Sequence, residues 1–107
     1  MQHKDLAAGR WFELTLAEQL GNVGSEVHRA LAAEGRNSED FQAAFRRALE
    51  LLDLTLRDPS HRGRLKEIAR LRELLCDAAL GSRMYRSSLA DIDRYLLTFA
   101  VAARQQR

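Results

Sequence analysis

The chain has 107 residues, 46% hydrophobic and 30% charged, with 17 Lys and Arg against 15 Asp and Glu. This length suits one domain with a core that needs neither disulfides nor metals. The lone Cys76 cannot form an internal bridge, no apolar leader follows Met1 and no uncharged run could cross a bilayer, so a membrane span is not expected and the cytoplasm is the expected compartment.

One proline, six glycines and an abundance of Ala, Leu, Glu and Arg favour helix throughout. Residues 1–14 form an arm or an extra helical turn, and their pattern leaves both open. A first helix is predicted over 15–34. Thr15 with Glu18 three residues on makes a capping box, and Leu16, Leu20, Val23, Val27 and Ala30 repeat along one face. Gly21 and Gly24 break its propensity and make, with Ala17 and His28, a small-residue strip against which another backbone could pack closely. Gly35 is its natural stop.

A second helix is predicted over 38–57, with Glu39 and Asp40 at its positive end and Phe41, Phe45, Ala48, Leu49, Leu52 and Leu56 as its buried stripe. Pro59 ends it, because the residue before a proline is pushed out of helical geometry. The third helix is placed at 64–80, before Gly81, and the fourth at 88–105, with Leu89, Ile92, Leu96, Phe99 and Ala103 at helical spacing. Short connections make neighbours antiparallel, so the expected fold is all-α, an up-down-up-down four-helix bundle.

This topology sorts the charge. Residues 1–56 carry six basic and nine acidic groups, and residues 57–107 carry eleven and six. The start of helix 1, the end of helix 2, the start of helix 3 and the end of helix 4 share a pole. It gathers Lys4, Arg10, Arg57, His61, Arg62, Arg64, Lys66, Arg104 and Arg107 against Asp5, Glu13, Asp58 and Glu67. Arg70 extends it along helix 3. Such a cluster can hold phosphates by releasing counterions, without reading sequence, which makes RNA or DNA the expected partner.

Apolar residues exceed what one core needs. Leu71 and Leu74 on helix 3, Leu97 and Val101 on helix 4, and Leu54 on helix 2 fall outside the core stripes, which predicts self-association. Arg72 falls on the face expected to be buried, where it needs a partner, with Glu50 or Asp53 in reach.

Catalytic and metal motifs are not found. His3, His28 and His61 lie far apart, Cys76 reads as packing, and "GNVG" lacks the strand and lysine of a phosphate loop. No cofactor, metal or enzymatic activity is expected. One remote alternative is "RDPSH", whose Arg57 and His61 approximate the Arg-spacer-His pattern of HEPN ribonucleases with too short a spacer. A second alternative is a protein-interaction scaffold without a nucleic-acid role.

The stretch "ALAAEGRNSEDF" followed by "AAFRRALELLDLTL" resembles the "NIAEG…S..EF…A..S..EL" segment of bacterial four-helix-bundle proteins encoded in 23S ribosomal RNA intervening sequences. That family includes the accessory variability determinant of diversity-generating retroelements. The resemblance covers residues 20–56 directly. It implies a ring-forming, pentameric bundle that binds nucleic acid and partners a reverse transcriptase, with no catalytic residues to carry over.

Overall fold

In the computed structural model, residues 9–79 and 89–105 are described. A 3-10 turn at Trp11–Glu13 is followed by α1 (Leu16–Ala33), α2 (Ser38–Arg57), a second 3-10 segment at Pro59–Arg64, α3 (Leu65–Ala79) and α4 (Leu89–Gln105). The predicted stop of helix 3 at Leu80 and Gly81 and the predicted start of helix 4 at Ser88 lie outside the described residues.

The helix starts follow local chemistry. Thr15 Oγ1 accepts from the Glu18 N–H at 3.1 Å, and Glu18 Oε1 accepts from the Thr15 N–H at 2.9 Å, closing the capping box. Asn37 Oδ1 accepts from the Asp40 N–H at 3.1 Å and starts α2. Gly35 has φ +73°, a left-handed conformation that allows the tight return from α1 to α2. Asp58, extended before Pro59, closes α2 and also caps the segment that follows, accepting from the Ser60 N–H at 3.0 Å with proline at the first turn.

The described helices form an all-α antiparallel bundle, with α1 packed closely on α2 and α4, and α3 against α2 and α4. The register of α1 on α4 is antiparallel: Gly21 meets Ala100, Gly24 meets Leu96, and His28 meets Asp93. The two glycines explain the closeness. A Cβ on Gly21 would sit 3.1 Å from the Ala100 Cα, and one on Gly24 would sit 3.0 Å from the Leu96 Cβ. Their cost in helix propensity, about 1 kcal/mol each against Ala, is the condition for this close approach.

Inside the bundle lie Leu20, Val23, Val27 and Ala30 of α1, Ala44, Ala48, Leu51, Leu52 and Leu54 of α2, Ile68, Leu71 and Leu75 of α3, and Leu89, Ile92 and Leu96 of α4. Each fully buried leucine contributes roughly 1.5–3 kcal/mol. Two sequence expectations are corrected here. Leu54 is buried rather than turned away, because α2 meets both its helical neighbours and the N-terminal turn, so its apolar arc is wider than one stripe. Arg72 is half-exposed rather than buried, and its Nε donates to Asp53 Oδ1 of α2 at 2.8 Å. That hydrogen bond, with the Asp53 charge, holds the guanidinium pKa above its ordinary value despite partial burial.

Candidate nucleic-acid interface

The pole is organised by a buried polar network that joins residues far apart in the sequence. Trp11 is fully buried, and its indole N–H donates to Thr55 Oγ1 at 3.2 Å; Thr55 in turn donates to the Leu51 carbonyl at 2.9 Å. Gln19, one turn into α1, is the hub. Its Nε2 donates to the Trp11 carbonyl and to Asp58 Oδ2, both at 2.9 Å. Its Oε1 lies 2.8 Å from His61 Nε2. An amide oxygen can only accept, so His61 carries its proton on Nε2. The same nitrogen is 3.3 Å from Asp58 Oδ2. Asp58 Oδ1 accepts from the Ser60 hydroxyl at 2.6 Å. This network ties the N-terminal turn, α1, the end of α2 and the 3-10 segment into one unit.

Asp58 is only 3% exposed. Burial works to raise its pKa, but hydrogen bonds from Ser60 and Gln19 and the adjacent His61 ring prevail and hold the carboxyl below its usual range. Its charge is thus satisfied from within, and it does not face the surface as a rival for the surrounding arginines.

His61 is correspondingly corrected as a phosphate-binding candidate. At 8% exposure, with Nε2 committed to Gln19 and Asp58, it is part of the scaffold and not of the solvent face. The cause is local: the 3-10 segment kinks at His61, with φ −108° and ψ 23°, which turns the ring inward between exposed Ser60 and Arg62.

The other candidates are on the surface. Arg10, Arg57, Arg62, Arg64, Lys66, Arg70 and Arg104 are all exposed. Arg10 precedes the buried Trp11, Arg57 and Arg62 flank the Asp58 cap, and Arg104 lines a shallow groove with Leu14 and Glu18. Arg64 pairs with Glu67 through Nε at 2.8 Å, and this bond raises the arginine pKa and lowers that of the glutamate. Arg70 lies 3.6 Å from Glu73. Among the described residues, the Arg57 side chain makes only a long 3.4 Å bond to the Asp53 carbonyl. Arg10, Arg62, Lys66 and Arg104 have no acidic partner among the described residues. Lys4 and Arg107 lie outside the described residues.

The four apolar interface candidates divide. Leu71 is 6% exposed, a core residue, and Leu74 is half-buried; both line a 300 Å³ groove between α3 and α4 with Ile92 and Tyr95. The predicted exposure of Leu71 is therefore corrected, while Leu74 stays partly exposed in the groove between α3 and α4. Leu97 at 54% and Val101 at 39% are exposed, one turn apart on α4. Leu97 borders the α1 side of that helix beside Gly24 and Ser25. The candidates do not make one continuous patch.

Among the described residues, no group of three His, Cys, Asp or Glu could hold a metal ion, and no helix is long and apolar enough to cross a membrane. Comparison with family models, curated proteins and solved structures returned no match.

Proposed function

We propose that this bundle binds nucleic acid through the phosphate backbone at its basic pole. The observation that carries this reading is the exposure of Arg10, Arg57, Arg62, Lys66 and Arg104 around a pole whose central acid, Asp58, is buried and internally hydrogen-bonded. Asp58 keeps its charge but presents no carboxylate at that surface, where the exposed acids are Glu13 and Glu67, the latter paired with Arg64. Phosphate binding of this kind releases condensed counterions and needs no catalytic group. Exposed Phe12 stands beside this field on the same turn as Arg10, the combination of aromatic face and cation that accommodates unpaired bases.

Replacing Arg57, Arg62 and Lys66 together by Ala tests the reading, since none of the three belongs to the buried network. Fluorescence anisotropy with a generic RNA and a generic DNA, titrated across salt, should show wild-type binding that weakens steeply with salt. The triple variant should lose most of the affinity. Its logarithmic salt slope should flatten by about 0.7–0.9 for each phosphate that the variant no longer neutralises. Equal affinity and equal slope in the two proteins would reject this pole.

We further propose self-association through Leu97 and Val101, the two apolar side chains of the predicted set that are exposed. A five-membered ring and a reverse transcriptase partner rest on the family resemblance alone. A scaffold role without nucleic acid is the competing reading, and it predicts no salt-sensitive RNA or DNA binding in the same titration.

A further inference from the structure

We propose a second anion site at the other end of the molecule, in the seam between α1 and α2, which takes a small molecule bearing a phosphate monoester. The seam is antiparallel, so Glu26 and Arg29 of α1 stand opposite Arg47 of α2, and Ala33 stands near Asp40 and Ala44. Arg29 and Ala33 on α1 and Asp40, Ala44 and Arg47 on α2 recur at helical spacing and line an open groove of 620 Å³, with Glu26 outside its lining. Its floor is made of alanine methyls, Ala32 and Ala33 from α1 with Ala43 and Ala44 from α2.

The guanidiniums around this floor are not placed independently. Glu26 is buried at 4% exposure, and a buried carboxylate requires counterions. It takes two, from different helices: Arg47 Nε donates to Oε2 at 2.7 Å, and Arg29 Nη1 donates to Oε1. Each arginine has five N–H donors. The bonds to Glu26 use one from each, and Arg36, which completes the groove, uses none among the described residues. Donors well in excess of the acceptors thus line one groove, and two of the three carriers are anchored from beneath.

Charge and shape select the ligand. Three guanidiniums against Glu26 below and Asp40 on the lip leave a net positive groove. Three planar donors match the three outer oxygens of a phosphate monoester better than the two oxygens of a carboxylate. The alanine methyls offer a flat apolar body something to cover within a lining that is otherwise polar. Phosphates of a nucleic-acid backbone fit less well, because the groove lies toward the α1–α2 turn, away from the basic pole.

Phenyl phosphate and inorganic phosphate are suitable probes, titrated into the full chain at constant ionic strength and followed by amide chemical shifts. Saturable shifts of Ala33, Arg36, Ala44 and Arg47, with phenyl phosphate binding more tightly than inorganic phosphate, are expected. Arg36→Ala, which touches no part of the Glu26 cluster, should weaken phenyl phosphate by about tenfold or more without lowering the thermal midpoint of the free protein. The Arg57, Arg62 and Lys66 triple variant should bind it as wild type does. Shifts confined to the basic pole, loss of binding in the triple variant, or no saturation would each overturn the proposal.

Discussion

Gln19 shows how one side chain can organise a region. Its amide has no exposure and satisfies the Trp11 carbonyl, Asp58 and His61 at once. Gln19→Leu keeps most of the volume and leaves those buried groups short of partners, so it should cost about 2 kcal/mol, read by urea unfolding. Asp58 gives the same network a pH signature. Its carboxyl is held below the ordinary 3.8 in the folded chain, so the folded state binds that proton less readily than the unfolded one. The associated stability is fully present above the unfolded value and is lost as pH falls through the lower folded value. Stability should therefore decline as pH drops below about 4, and Asp58→Asn should flatten that acid limb while lowering stability at neutral pH. An unchanged limb in the variant would remove Asp58 from the account. This network is poorly legible in the sequence. "DPS" does carry a cap signature, an aspartate before proline with a donor two residues on, but nothing in sequence spacing brings Trp11 to Thr55 or Gln19 to His61.

Helices are the most readable scale. The capping box at Thr15, the glycine stop at Gly35 and the break at Pro59 are each local, depending on residues within one turn, and each is found in place. The 3-10 segment Pro59–Arg64 has no periodicity to announce it, and the third helix starts at Leu65 rather than 64 because the Asp58 cap winds the chain tightly first. Gly21 and Gly24 tie the element scale to packing. Gly21→Ala improves intrinsic helicity, yet its new methyl would meet backbone at 3.1 Å. Moving α4 is the only relief, since the obstacle is a Cα and not a flexible side-chain end. We expect a net loss of about 1–2 kcal/mol in chemical denaturation, the overpacking cost exceeding the propensity gain. A stabilised variant would mean that α1 and α4 do not approach this closely.

For the whole molecule, the consequence of the bundle is that residues remote in sequence become neighbours. Arg104, near the end of α4, lines one groove with Leu14 and Glu18 from the opposite end of the chain. Self-association belongs to this scale as well. Leu97→Glu with Val101→Glu alters only exposed positions, so the variant should fold as wild type does. Sedimentation should show a higher mass for the wild type than for the variant; two identical monomers would discard that interface.

The helical periods, caps and breakers of this sequence determined four helices and their antiparallel order, because those signals act over a few residues and survive any packing arrangement. Which polar side chains face water was decided only by the tertiary structure. A helical stripe specifies a direction from the axis, while burial depends on what another element places along it. That is why His61, Asp58 and Leu71 are covered, why Arg62 and Leu97 stay outside, and why the acid at the centre of the basic pole is absent from its surface.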